Sequence, residues 1–296
     1  MSIREEDTGA EDLKFRRLRT LVRLIGPVWI SVLILAIAVG AAILAPLIAP
    51  HDPYYQNLLA RLRPPGFSAG GRYYLLGTDE LGRDLFTRIL YGAQVSLLVA
   101  FLSVCVSLVF GSLLGMMAGY FRGWVEIIVM RTADIILSIP AILLAILTVA
   151  VLGPSLPNLI LVLAFTRWPR YTRVAYAQTL TVADNLYVRA ADYYGAGRSR
   201  ILLRHILPNV FAALIVLATL EFGLMILFEG GLSFLGLGVQ PPTPSLGAIL
   251  SVGRNYISSA WWIVTFPGIC LFLLVLAVNI LGDHLRDELD PRSLDR

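Results

Sequence analysis

Apolar and polar positions alternate along this chain in blocks rather than residue by residue. Long apolar runs occupy residues 26–50, 89–121, 124–152, 158–166, 207–228 and 261–281, with polar stretches between them. A bilayer-crossing helix needs about 20 mostly apolar residues, because lipid offers backbone polar groups no partners outside the segment. The pattern therefore predicts an all-α integral membrane protein with six transmembrane helices. The first run, 26–50, contains no Asp, Glu, Lys or Arg and follows the basic stretch KFRRLR at 14–19. Its length and its PLIAP ending read as a retained span, not a signal peptide. The 89–121 run begins with a lead-in helix, and the second span is placed near 95–118. The third starts near Trp124 and stops before GPSLP at 153–157, with Pro140 positioned to kink it. The fourth has the least apolar support. Residues 158–166 are followed by Arg167, Arg170 and Arg173, a spacing that fits a helix emerging into an anionic headgroup layer. The stretch 230–244, rich in Gly and Pro, reads as non-helical.

Charge adds direction. Six crossings put both termini on one side. Eighteen of the 24 Lys and Arg fall on that side, including seven from Arg167 to Arg204, and six fall on the other. Cytoplasmic loops carry such an excess, so both termini and the 179–205 segment are expected in the cytoplasm. Trp261 and Trp262 then sit at the outer boundary, where indole rings favour the headgroup level. Hydrophobic residues are 57% of the chain and charged residues 15%, against about a quarter in soluble domains. A soluble enzyme is a poor reading. The net charge of +4 reflects topology-setting Arg and Lys rather than a nucleic-acid partner.

Reactive chemistry is absent from the pattern. No G-x-x-x-x-G-K-[ST] phosphate loop, H-E-x-x-H or G-x-S-x-G motif occurs. His51, His205 and His284 are far apart, and Cys105 and Cys270 lie in apolar runs. No catalytic residue, metal ligand set or disulfide framework is expected. Three features of the spans call for an account. Glu221 and Glu229, eight apart on the fifth span, share roughly one face and are candidates for a translocation path or a subunit contact. Arg131 and Asp134, three apart at the start of the third span, are expected to form a structural pair. Gly111, Gly115 and Gly119 have the four-residue spacing of a close helix contact, internal or intersubunit, and Asn279 reads as helix-to-helix glue.

The 189–209 segment is the most informative. It reads as a helix, a glycine break at Gly195, and a second helix running through Pro208 into the fifth span. Ala190 and Ala191 leave a small, flat surface for close approach of another protein. This segment resembles the EAA loop of ABC importer membrane subunits: Glu-Ala-Ala, three residues, Gly, nine residues, then Ile-x-Leu-Pro. Ala190, Ala191, Gly195, Leu207 and Pro208 fall on its positions, while Arg189 replaces the Glu and His205 the first Ile. RHILPN at 204–209 is similar to the dipeptide/oligopeptide/nickel branch. APLIAPHDP at 45–53, GTDELGRD at 77–84, Glu229 with LSFLGLGVQPP at 232–242, and LGDHLRDELDP at 281–291 resemble the same branch.

The resemblance implies a permease with the type I ABC importer fold in the prokaryotic inner membrane. It implies a cytoplasmic tail at 1–25, a first helix at 26–50 and an extracytoplasmic loop at 51–92. A five-helix core at 93–282 would hold a coupling loop at 179–208, ahead of a tail at 283–296. Arg189, Ala190, Ala191, Tyr194, Gly195, Ala196, His205, Leu207 and Pro208 would form the ATPase-coupling loop. Implied partners are a second homologous permease, two ABC ATPases and an extracytoplasmic binding protein. ATP and Mg²⁺ would belong to the ATPases, with no cofactor in this chain. The 52–88 and 239–255 loops are expected to share docking of the binding protein. The expected solute is a peptide, with nickel, glutathione or sugar as alternatives. An ion-coupled secondary transporter is the competing class, and it would show internal repeats, which are not evident here.

Overall fold

The computed structural model describes residues 28–289, and these are mostly helical. The 1–25 tail and the end of the C-terminal tail lie outside the described residues. The first apolar run forms α1 (Val28–Ile43), shorter than the 26–50 expectation, followed by the single turn α2 (Ala45–Ile48). A two-stranded hairpin follows, β1 (Phe67–Ala69) antiparallel to β2 (Arg72–Tyr74), with Ala69 opposite Arg72. Gly70 and Gly71 turn it with φ of 57° and 76°, the geometry a two-residue hairpin loop requires.

Helix α3 (Leu85–Phe121) is one unbroken 37-residue rod. The separate lead-in helix expected before residue 95 is not present; it is the first turns of this rod. The Asp84 side chain caps it, accepting from Thr87 N at 3.0 Å, which satisfies a donor that has no partner inside the helix. The expected third span is two helices, α4 (Gly123–Ser138) and α5 (Ala141–Leu152), bent by 93°. Pro140, with no N–H to donate, breaks the ladder there rather than merely kinking it. Helix α6 (Leu156–Ala183) runs for 28 residues straight through Arg167, Arg170 and Arg173, with Pro169 inside it. The arginines are therefore mid-helix, and the helix continues past them to Ala183.

Two short helices, α7 (Leu186–Tyr193) and α8 (Arg198–Ile201), lead through a π turn at Leu202–Ile206 into α9 (Leu207–Phe234). Helix α9 extends past residue 228 into the stretch read as non-helical. Helices α10 (Leu246–Gly253) and α11 (Trp262–Leu289) complete the described residues. Among the described residues three stretches are long and apolar enough to cross a membrane, Leu85–Phe121, Arg198–Phe234 and Trp262–Glu288, and the bent α4–α5 pair makes a fourth if counted as one.

The core forms where α3 lies on α6 and α9, and α9 on α11. Gly111, Gly115 and Gly119 face α6, so their close contact is internal. A Cβ on Gly115 would stand 2.3 Å from the Thr172 carbonyl oxygen, and one on Gly111 2.5 Å from that of Trp168. Backbones this close let Thr172 Oγ1 donate to Gly111 O at 2.9 Å. On the other side Gly223 of α9 receives Asn279 of α11, whose Oδ1 would lie 2.6 Å from an added Cβ. Gly115→Val is expected to destabilise the folded protein by about 1–3 kcal/mol, because two rigid helices must separate. A thermal-unfolding curve of the purified protein matching wild type would contradict the contact.

Candidate functional site: an exposed elbow and a buried charge cluster

The elbow between α6 and α9 is built from its small residues outward. Helix α7 ends when Gly195 adopts φ +78°, a left-handed conformation that costs glycine little. Ala196 N then donates to Ala191 O at 3.0 Å and Gly195 N to Asp192 O at 2.9 Å, closing the helix end with a glycine cap. Val188, Ile201 and Ile206 are buried and pin the elbow to the bundle. Leu186, Tyr193, Tyr194 and Leu203 point away from it, and the two tyrosines are 93% and 92% exposed. Ala190 is exposed between them and Ala191 half-buried. Pro208 sits in the first turn of α9, where its missing N–H is tolerated. The backbone widens into the π turn just ahead of it, and His205 in that turn lies 6.4 Å, ring to ring, from Tyr187 of α7.

Arg189 turns back toward the bundle. Its Nη2 donates to Asp184 Oδ1 at 3.0 Å, and Arg122 Nη2 reaches the same carboxylate at 3.4 Å. The Arg189 hydrogen bond holds the Asp184 carboxyl below its ordinary range. The nine expected loop residues lie on α7 and the glycine break after it, in the π turn and in the first turn of α9. Asp184, Leu186 and Tyr193 complete the surface and were missed. Two adjacent tyrosines just after an alanine pair were the available signal.

The carboxylates of α9 are both deep inside the bundle. Glu221 is 1% exposed and lies between two arginines of α6: Arg170 Nη1 at 2.8 Å from Oε1, and Arg167 Nη1 at 3.5 Å from Oε2. Arg167 is itself buried, with its guanidinium 4.1 Å above the Phe228 ring. Glu229 is fully buried, accepting from Ser96 Oγ of α3 at 2.5 Å and Ser233 Oγ at 2.7 Å. Ser96 also accepts from Leu246 N at 3.4 Å, so one carboxylate gathers α3, α9 and α10. Glu221 and Glu229, the translocation-path candidates, are thus both buried against partners, since a carboxylate away from water persists only when compensated.

The Arg131–Asp134 pair does not form. Arg131 is exposed and Asp134 receives Arg173 Nη2 of α6 at 2.5 Å. Glu126 similarly accepts from Tyr176 OH. Both acids of α4 therefore stitch it to α6, a neighbour in space that sequence spacing could not reveal.

The GTDELGRD segment folds the 51–84 loop upon itself. Asp79 accepts from the amides of Leu81 and Arg83 at 2.9 Å each and from Arg83 Nε at 2.7 Å; Arg88 Nε lies 3.3 Å away. Burial, with the Asp79 charge beside it, pushes the Glu80 carboxyl up. Gly82 is required where it stands: φ is +71° and a Cβ would meet Asn57 O at 1.8 Å. Trp262 Nε1 donates to Thr78 O at 3.1 Å, tying the loop to the start of α11.

Long apolar helices, buried carboxylates held by arginines or serine hydroxyls and an exposed elbow between two core helices define a multi-pass membrane protein with a docking surface. Comparison with known families agrees. Residues 111–293 match the binding-protein-dependent transport system inner membrane component, and residues 27–65 match the N-terminal TM domain of oligopeptide transport permease C. The chain belongs to the family of binding-protein-dependent transport system inner membrane components. It is 46% identical over 263 residues to the di/tripeptide transport system permease protein DppC of Pseudomonas aeruginosa, covering 88% of this chain and 87% of that one. It is 44% identical to the dipeptide transport system permease protein DppC of Haemophilus influenzae, covering 89% and 90%. The DppC of Escherichia coli is 46% identical, with 89% and 88% covered. The chain is thus a transport subunit of the bacterial inner membrane and not an enzyme, and it works with ATPase and substrate-binding partners.

Proposed function

We propose that this chain is one of two permease halves of an ATP-driven peptide importer, and that its elbow transmits the movement of two ABC ATPases to the spans. The observation that carries the reading is the elbow itself. Tyr193 and Tyr194 stand outside the bundle at the end of a short helix that follows α6 after two residues and leads through α8 and the π turn into α9. A push on this lever reaches two core helices at once. An effector shifts a two-state protein only by binding its states unequally, so the elbow meets the ATPases differently in the inward- and outward-facing forms.

Six crossings follow if α1, α3, the bent α4–α5 pair, α6, α9 and α11 each span. The asymmetry of Lys and Arg then supports cytoplasmic termini and a cytoplasmic elbow. A second homologous permease completes the path, and a binding protein meets the 52–88 and 239–255 loops. ATP and Mg²⁺ reside in the ATPases. The names of the dipeptide and di/tripeptide relatives support a short peptide as solute.

Reconstitution of the assembled complex with its binding protein in liposomes tests this. Labelled dipeptide is expected to accumulate only with ATP supplied on the ATPase side. Uptake driven by an ion gradient without ATP would overturn the importer class, and ATP-driven uptake of nickel but no peptide would overturn the solute.

A further inference from the structure

We infer that Arg122 is a positioning residue of the coupling elbow. It ties Asp184, at the root of the elbow, to the α3–α4 junction, so that movement of the elbow reaches α3 as well as α6 and α9. The inference rests on the reading of the elbow as the ATPase contact and deepens it.

Backbone geometry singles the residue out. Among the described residues, Leu62 and Arg122 alone hold a positive φ without being glycine. Arg122 is the cap residue of both α3 and α4, with φ 54° and ψ −163°. Glycine adopts that combination freely, and a Cβ makes it costly. Glycine would therefore fit the backbone there, and the side chain gives the arginine its reason. Arg122 Nη2 reaches both Asp184 oxygens at 3.4 Å. Asp184 stands at the C-cap of α6, and its Oδ1 accepts from Arg189 of α7 at 3.0 Å. One carboxylate thus joins the end of α6, the first helix of the elbow and the α3–α4 junction.

The residues before Arg122 point the same way. Phe121 lies under the Arg198 guanidinium of α8, 5.6 Å from its ring centre, and Tyr120 stands beside Asp192 of α7. Three consecutive residues at the end of α3 therefore meet the elbow at its root, on its first helix and on its second. Asp192 adjoins the exposed Tyr193, so a push on the tyrosines has a short route to α3. Helix α3 packs on α6 and α9, and these contacts let all three core helices answer one movement.

The Arg122–Asp184 pair is weak as a fastener. The two side chains are 52% and 55% exposed, and ion pairs in that setting contribute little to stability. A weak contact still biases an equilibrium between two forms when it is made in only one of them. Its removal is therefore expected to change coupling and not folding.

The test uses the whole complex in liposomes with its binding protein. Arg122→Gly removes the side chain and relieves the backbone. It is expected to unfold at or above the wild-type temperature and to retain the ATPases on copurification. Peptide moved per ATP hydrolysed should fall about threefold or more, the scale on which single residues between two sites alter their coupling. Arg122→Lys keeps the charge and should recover most of the loss. Asp184→Asn should lower coupling at least as far, because it also frees Arg189, and adding Arg122→Gly to it should change nothing further. Wild-type peptide per ATP in Arg122→Gly, or loss of the ATPases from it, would overturn the assignment. So would an unfolding temperature that falls in step with uptake across the Gly and Lys variants, because the residue would then only stabilise the fold. Additive losses in the double variant would overturn the route through Asp184. Failure of the elbow reading looks different: Tyr193→Ala with Tyr194→Ala would then keep the ATPases, whatever Arg122 does.

Discussion

Glu221→Ala is expected to lose uptake and to lower the thermal stability of the purified complex. The glutamate is the only carboxylate within ion-pair distance of Arg167 among the described residues, and Arg167 is itself buried. Removing one member of a buried pair leaves an uncompensated charge and typically costs about 3–5 kcal/mol. Arg170 escapes the worst of this because half of its side chain is already exposed. The expected rescue is therefore asymmetric. Glu221→Ala with Arg167→Met should regain much of the lost stability, and Glu221→Ala with Arg170→Met little. Thermal unfolding of the four proteins side by side decides it. A Glu221→Ala protein as stable as wild type would mean that this cluster does not hold α6 to α9.

The second large effect is expected at the elbow, and it separates transport from folding. Tyr193→Ala with Tyr194→Ala removes two rings that are almost wholly exposed. Surface changes of this kind usually move stability by less than about 0.5 kcal/mol. Buried tyrosines at an interface are often worth about 2 kcal/mol or more each, so ATPase affinity should fall by about thirtyfold for one ring and by up to about a thousandfold for both. The double variant should unfold at the wild-type temperature yet fail to retain the ATPases on copurification, and uptake should fall with them. Gly195→Val offers the complementary result. A β-branched residue resists φ +78°, so the cap unwinds and both rings lose their placement. Normal ATPase retention in the tyrosine double variant would remove the elbow as the coupling surface.

Much of the elbow was legible in the chain because its determinants are local. A left-handed glycine, an alanine pair and a proline at a helix start act within a few residues, so Gly195, Ala190, Ala191 and Pro208 stand where their spacing implied. The glycine stripe of α3 was legible as a contact, though not the helix it meets. The charges were read less well. Arg167 and Arg170 were read only against the membrane boundary, because a single-chain reading weighs an arginine against lipid. In the folded protein each lies beside a carboxylate 51 or 54 positions away. Asp134 was assigned to Arg131 for the same reason: helical spacing offers the nearest cation along the chain, and packing offered Arg173 instead.

Local chemistry in the sequence thus determined which stretches become helices in a membrane, where glycine and proline interrupt them, and that an elbow separates α6 from α9. Those choices follow from apolar length and backbone freedom, which act over a turn or two. Tertiary structure alone decided that α4 and α5 turn by 93°, that Gly115 meets α6, and that Glu221 is neutralised by arginines from another helix. The reason is physical: a buried charge takes whichever opposite charge the packed helices bring within reach, and that distance exists only once the helices are assembled.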